Sequence, residues 1–153
     1  MNSRNRILLK AELTQDEGRR LTAYQDSVGL WTIGIGHLLG VEKRMTSITD
    51  AEANSLLEGD IDRAIDVAAT YVPELLYWAS DCDEFLAHNN SRARALVNMA
   101  FNLGGRLGGF PKFLESIRKH EWTSAAKEML NSKWATQVGT RATRLRDMIL
   151  TED

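Results

Sequence analysis

The chain has 153 residues, 43% of them hydrophobic and 26% charged, and its formal net charge is −2. This length and composition can bury enough apolar surface to fold as a globular protein without disulfides or metals. A single cysteine excludes an intrachain disulfide framework, no apolar run approaches the ~20 residues that span a bilayer, and the acidic balance argues against a nucleic-acid partner.

The first 18 residues predict a helix and contain no signal peptide. The apolar run at residues 7–9 is broken by Lys10, whereas a secretory core needs about 7–15 apolar residues. We therefore expect synthesis in the cytoplasm. The helical pattern that starts at Ile7 ends at Glu17, and Gly18 suits the left-handed position after a helix.

Residues 23–36 have the composition of a small β-hairpin, because aromatic and β-branched side chains surround a glycine-containing turn. Ile33 and Ile35 alternate with Gly34 and Gly36. The alternation predicts that the isoleucines pack on one face, while the glycine face stays clear of side chains and lets a polymer lie close to the backbone.

The rest of the chain predicts helices. Thr49 and Glu52 have the spacing of a capping box, and Pro73 ends the following helix near residue 72. Further start and stop signals predict the boundaries of the remaining helices. These are N-caps at Ser91, Thr123 and Thr140, a first helical position at Pro111, and a stop at Gly104 and Gly105.

The predicted class is therefore α+β, with most of the chain helical. A hairpin-bearing N-terminal lobe covers about residues 18–60, and a long connecting helix covers about residues 50–72. A helical C-terminal lobe covers about residues 73–153 and includes the N-terminal helix.

The sequence contains no motif that indicates a metal or cofactor site. His37, His88 and His120 lack metal-ligand spacing with one another and with Cys82. The sequence also has no phosphate-binding glycine loop and no nucleophile elbow. We expect no cofactor and no metal.

Two carboxyl groups are candidates for acid–base chemistry. The partial negative charge at a helix C-terminus favours a protonated Glu17, whereas Asp26, in a turn, is expected to be ionised. Glycoside hydrolysis requires such a pair, and the Thr32 hydroxyl nearby could hold a water molecule. A helix-end glutamate, a turn aspartate and a strand threonine are also common structural features, so the residues alone leave both interpretations open.

A longer motif decides between them. Glutamate, tyrosine, aspartate and glycine precede the run Thr-Ile-Gly-Ile-Gly-His at residues 32–37, and their order and spacing resemble the T-even phage lysozymes, glycoside hydrolase family 24. Residues 95–104 resemble the central helix of that family, and scattered positions from Trp122 to Ala142 resemble its closing segment. Residues 40–90 match poorly except around Asp60.

The resemblance implies a two-lobed lysozyme fold and hydrolysis of the β-1,4 bond between N-acetylmuramic acid and N-acetylglucosamine in bacterial peptidoglycan. It implies that Glu17 is the general acid, that Asp26 activates water with inversion at the anomeric carbon, and that Thr32 holds this water. It also implies that His37 and Asp60 form a buried ion pair and that Arg141 positions Glu17.

Further positions of this sequence correspond to saccharide-contacting positions of the family. Leu38 and Phe101 match family residues, whereas Phe113 replaces a small polar residue and Glu128 replaces a neutral amide. The resemblance also implies a monomeric endolysin that reaches the wall through the periplasm after a separate holin-like protein has permeabilised the membrane.

Two other functions are compatible with parts of this pattern. A lytic transglycosylase needs only the acid and releases an anhydro sugar, but the presence of Asp26 and Thr32 argues against it. A non-catalytic wall-binding or phage structural module would not need the complete set of Glu17, Asp26 and Thr32.

Overall fold

A computed structural model describes residues 1–76 and 89–152 of the chain, so Cys82 and His88 lie outside the described residues. Within these ranges the chain forms helices and a small antiparallel sheet, which confirms the predicted α+β class. In chain order the elements are α1 (Ser3–Glu17), β1 (Arg20–Gln25), β2 (Trp31–Gly34), β3 (His37–Gly40), α2 (Asp50–Tyr71), a 3₁₀ helix (Pro73–Leu76), α3 (Asn90–Leu103), a 3₁₀ helix (Gly104–Gly109), α4 (Pro111–Arg118), α5 (Trp122–Leu130), α6 (Lys133–Val138) and α7 (Thr140–Leu150).

The predicted hairpin is part of a three-stranded sheet. Its strand order is β1-β2-β3, and both pairs are antiparallel. The prediction missed β3 because the chain turns back within three residues, between the paired Ile33 and His37. Gly34 and Gly36 have φ values of 66° and 67°, a left-handed conformation that glycine adopts without strain.

The glycine face of this turn is not open, so that prediction is wrong. A Cβ atom at Gly34 would lie 3.4 Å from Ile48 and 3.7 Å from Ala53, and a Cβ atom at Gly36 would lie 2.9 Å from the side chain of Glu17. The turn is therefore covered by the chain itself, and the glycines allow close internal packing.

Contacts divide the chain into two compact units. The sheet unit is Leu8–Arg63, and the helical unit is Met1–Ile7 with Ala64–Asp153. In the sheet unit, fully buried Leu9 and Leu13 of α1, Ile33 of β2 and Ile61 of α2 form the apolar core. The predicted lobe bounds, which place the N-terminal helix with the C-terminal lobe, stay a prediction.

The helical unit packs its apolar side chains around α3. Fully buried side chains include Leu96 and Met99 of α3, Phe113 of α4 and Leu145 of α7. Buried Arg94 of the same unit donates to the side-chain oxygen of Asn5 over 2.6 Å. Such pairing offsets the cost of removing a charged group from water.

The helix boundaries confirm some of the expected start and stop signals. The Thr49 backbone N–H donates to Glu52 over 2.7 Å, and the Glu52 N–H donates to the Thr49 hydroxyl over 3.2 Å, which completes the predicted capping box. Pro111 opens α4, and Gly104 follows the last residue of α3, both as predicted.

Three predicted N-caps are wrong because the helices begin earlier. Ser91 is the second residue of α3, Thr123 is the second residue of α5, and Thr140 is the first residue of α7. Their hydroxyls therefore lie inside the first turn. Ser132, which was not predicted, caps α6 by accepting a hydrogen bond from the Ala135 N–H over 3.1 Å. Among the helices of the described ranges, none is both long and apolar enough to cross a membrane.

The capping box predicts a pH-dependent contribution to stability. Hydrogen bonds from the Thr49 backbone N–H and then from its hydroxyl lower the pKa of Glu52. The ionised Glu52 therefore stabilises the fold above the ordinary glutamate pKa, and this contribution is lost as the pH falls through the lowered value. We expect the Glu52→Gln variant to melt below the wild type at neutral pH and to converge with it in acid.

Thermal unfolding followed by circular dichroism across this pH range measures the effect. Glu42→Gln, at an exposed loop position, provides the control. A constant difference between wild type and Glu52→Gln at every pH would contradict the proposed charge contribution.

Candidate active site

Glu17 is placed by the end of a helix. It is the last residue of α1, and the N–H of Gly18, whose φ is 72°, donates to the Thr14 carbonyl over 2.9 Å. Glu17 therefore stands in the last turn of the helix, at the negative end of the helix dipole. The side chain is half-buried and packs against Gly36.

Asp26 holds the connection between β1 and β2. Its Oδ1 atom accepts hydrogen bonds from the backbone N–H groups of Val28 and Leu30, each over 2.9 Å. Its own N–H donates to the Leu30 carbonyl over 2.9 Å. These bonds fix the orientation of the carboxylate, which is half-buried at the end of β1.

Thr32 lies in the middle of a row of side chains across the sheet. In the strand register Thr32 is opposite Tyr24 of β1 and opposite Leu38 of β3. Directly opposed residues in antiparallel strands share one face, so the three side chains are neighbours. Thr32 is 7% exposed and Leu38 is 57% exposed, which leaves the β3 end of the row accessible.

The pKa of Tyr24 responds to the charges of both candidate carboxylates. Burial is the largest cause that raises the pKa of its hydroxyl, the Arg20 guanidinium lowers this pKa, and the negative charges of Glu17 and Asp26 raise it. Arg20 lies 4.4 Å from the centre of the tyrosine ring. Both carboxylates therefore lie close enough to influence one phenol group.

His37 and Asp60 lie at hydrogen-bond distance. The Nδ1 atom of His37 is 2.8 Å from the Oδ2 atom of Asp60, and the two side chains are 18% and 13% exposed. Asp60 also pairs through Oδ1 with Arg63, a partner that was not predicted from the sequence. The contact between His37 and Asp60 is the pair that the resemblance implies, and its support of a catalytic site stays a prediction.

Arg141 is one of the buried cations of the helical unit. It is 6% exposed, and its guanidinium donates to the side-chain and backbone oxygens of fully buried Asn98 over 2.9 and 3.2 Å. Asn98 was not singled out as a partner in the sequence, although it lies in the run that matches the family's central helix. The role of Arg141 towards Glu17 stays a prediction.

The remaining predicted binding residues lie in the helical unit. Phe113 and Glu128 line the same cavity of about 370 Å³, whereas Phe101 is half-buried in α3. The same cavity is also lined by Phe110, Lys112, Lys133 and Trp134. Phe113 is only 1% exposed, so it shapes this cavity mainly by packing. Among the described residues, no group of three or more His, Cys, Asp or Glu side chains could hold a metal ion.

Comparison with known proteins places the chain among related sequences. A model of the family "Phage lysozyme" matches residues 14–147. The chain is 33% identical to "Probable T4-type lysozyme 2" of Dictyostelium discoideum, with 90% of each chain covered. It is 35% identical to the "Pre-baseplate central spike protein Gp5" of Enterobacteria phage T4, over 91% of this chain and 27% of that protein. It is 28% identical to the "Endolysin" of Salmonella phage P22, with 77% and 75% covered.

The fold and these matches define a glycoside hydrolase of the lysozyme class. The chain belongs to the phage lysozyme family.

The pairing of Asp60 predicts a loss of stability when its charge is removed. We expect Asp60→Asn to lower the free energy of unfolding by about 1–3 kcal/mol, because largely buried His37 and the neighbouring Arg63 lose their carboxylate partner. Urea unfolding at neutral pH measures this difference.

Arg63→Gln is the matched control, since Arg63 pairs with the same carboxylate but its side chain is 65% exposed. An exposed ion pair contributes about 0–1 kcal/mol, so this variant should stay close to the wild type. Equal losses of unfolding free energy in the two variants would show that the pairing of Asp60 with His37 adds no stability beyond the pairing with Arg63.

Proposed function

We propose that this protein hydrolyses the β-1,4 bond between N-acetylmuramic acid and N-acetylglucosamine in bacterial peptidoglycan by an inverting acid–base mechanism. The observation that carries the proposal is the placement of two carboxyl groups beside one sheet. Glu17 packs against Gly36 at the turn between β2 and β3, and Asp26 follows β1, next to the strand that carries Thr32. Hydrolysis of a glycosidic bond by inversion requires one carboxylic acid and one carboxylate with water between the carboxylate and the sugar.

Glu17 takes the role of general acid in this mechanism. Glu17 ends α1 and is half-buried, so its carboxyl group lies at the negative end of a helix dipole and partly out of contact with water. In the proposed reaction the proton of this carboxyl group goes to the glycosidic oxygen as the bond to the anomeric carbon breaks.

Asp26 takes the role of general base, with Thr32 as its partner. The two backbone N–H bonds go to Oδ1 and hold the carboxylate in one orientation, which leaves Oδ2 to accept a proton from water. The Thr32 hydroxyl, one strand away from Tyr24, holds this water against the anomeric carbon. The inverting mechanism requires the two carboxyl groups to be about 6.5–9.5 Å apart, rather than the about 5–5.5 Å of retaining enzymes.

The other residues are assigned either to saccharide binding or to support of the proposed catalytic residues. Leu38 offers a largely exposed apolar side chain next to Thr32 and is assigned to a saccharide contact. Phe101, Phe113 and Glu128 are assigned to substrate binding by their positions in the family pattern. Arg141, as in the sequence-based prediction, is assigned to positioning the acid.

The biological role follows from the substrate. We propose that the protein acts as an endolysin, as a monomer, on the cell wall of a bacterial host. A separate holin-like protein would permeabilise the membrane and let it reach the wall. The similarity to a phage spike protein favours a second candidate, a component of the phage particle. Fractionation of an infected culture distinguishes the two, because a particle component copurifies with virions.

Removal of the acid predicts the loss of lysis without loss of fold. We expect Glu17→Gln to lower the rate of peptidoglycan hydrolysis by at least about 100-fold, because the neutral amide cannot donate a proton to the leaving oxygen. Turbidity of permeabilised cells measures the rate, and circular dichroism reports the fold. Glu42→Gln is the control, and a Glu17→Gln enzyme with near-wild-type lysis would remove Glu17 from the mechanism.

The products identify the reaction class. Purified peptidoglycan digested in ¹⁸O water should give a reducing N-acetylmuramic acid that contains ¹⁸O and forms first as the α anomer. An anhydro sugar without ¹⁸O would assign the protein to the lytic transglycosylases instead, and a β anomer would assign a retaining mechanism.

Thr32 is expected to affect turnover more than binding. Thr32→Ala removes the hydroxyl that holds water, so kcat on a soluble muropeptide oligomer should fall by at least about tenfold, while KM changes little. Thr32→Ser keeps the hydroxyl and should recover most of this turnover. Equal turnover in the alanine and serine variants would reject the water-holding role.

A further inference from the structure

The side chain of Glu17 rests directly on the backbone of Gly36. A Cβ atom at position 36 would lie 2.9 Å from the Glu17 Cγ atom, 3.0 Å from its Oε2 atom and 3.1 Å from its Cβ atom. Contacts below about 3.4 Å between such atoms fall within the repulsive range of van der Waals interaction. No residue other than glycine therefore leaves Glu17 in its present position.

The surroundings of Gly36 hold its backbone in place. Ile35 on one side is 1% exposed, and His37 on the other side lies 2.8 Å from Asp60 of α2. Gly36 itself has a φ of 67°, which the tight turn between β2 and β3 requires. Because both neighbours are anchored, the surface that Glu17 contacts cannot move away easily.

We propose that Gly36 is a positioning residue for the proposed general acid. Because Gly36 has no side chain, the Glu17 side chain can pack directly against its backbone, and this contact fixes the position of the carboxyl group. A methyl group here would push Cγ and Oε2 outwards and turn the carboxyl group away from the position that the end of α1 gives it. The catalytic part of this inference rests on the proposed function, whereas the contact itself does not.

Gly34 offers a matched control in the same turn. Its φ is 66°, so replacement by alanine carries the same backbone strain as at Gly36. A Cβ atom at Gly34 would lie 3.4 Å from Ile48 and 3.7 Å from Ala53, which are ordinary packing distances, and Glu17 is not among its nearest neighbours. The difference between the two alanine variants therefore isolates the contact with Glu17.

The first experiment compares the kinetics of Gly36→Ala and Gly34→Ala in the full chain on a soluble muropeptide oligomer. A displacement of a catalytic group by about 1 Å can lower a rate by on the order of 10²-fold. We expect Gly36→Ala to reduce kcat by on the order of 10²-fold with little change in KM, and Gly34→Ala to reduce it far less. Similar kcat values for the two variants would overturn the positioning role.

The second experiment measures the contact without any enzymatic readout. Melting temperatures are compared for Gly36→Ala and Gly34→Ala, each in the wild-type background and in the Glu17→Ala background, which lacks Cγ and Oε2. We expect Glu17→Ala to relieve much of the destabilisation caused by Gly36→Ala and none of that caused by Gly34→Ala. Equal losses in both backgrounds would overturn the proposed contact.

This design separates the two proposals. If the wild-type protein does not cleave peptidoglycan, the proposed function fails. The comparison of melting temperatures in the two backgrounds still tests the contact between Gly36 and Glu17. If Gly36→Ala alone does not fold, recovery of the fold in the Glu17→Ala background supports the inference. Failure to fold in both backgrounds, with Gly34→Ala folded, contradicts it.

Discussion

The approach of a helix end to a glycine turn is the constraint on which the sheet unit depends. Glu17 ends α1, and its side chain occupies the space that a side chain at Gly36 would need. The left-handed conformation of the turn and the absence of a Cβ atom are both necessary for this packing. The same two-residue contact places a carboxyl group at the negative end of a helix dipole beside the sheet.

Charged side chains of the sheet unit act on the hydroxyl group of Tyr24. Burial raises the pKa of this phenol most, and the negative charges of Glu17 and Asp26 raise it further. Arg20 lies against its ring and partly offsets the acidic field.

Local signals in the sequence predicted the local structure well. The capping box of Thr49 and Glu52 and the end of α1 at Gly18 follow from hydrogen-bonding groups a few residues apart, which a sequence displays directly. The N-cap predicted at Thr123 was wrong by two residues, because α5 starts at Trp122 with Glu121 at the N-cap position. The short strand β3 was missed because its turn is too tight to leave a loop signature.

The site was only partly visible in the sequence. Glu17, Asp26 and Thr32 were predicted as site residues through the resemblance of residues 17–39 to a family, since no spacing rule brings a helix end and a turn together. The influence of both carboxylates on Tyr24 depends on tertiary structure. The prediction of an open glycine face failed because it also depends on tertiary structure. The alternation of Ile and Gly shows which side of the strand lacks side chains, but it cannot show which residues cover that side.

The hydrogen bonds of Asp26 also limit how this fold can diversify. The carboxylate closes the connection to Leu30 with a fixed number of residues, so an insertion there would displace the group itself. Residues 41–45, after β3 and before the segment that bonds to β1, are all exposed. Insertions are tolerated best in such exposed segments, so length variation among related enzymes should concentrate after β3 and spare the first turn of the sheet.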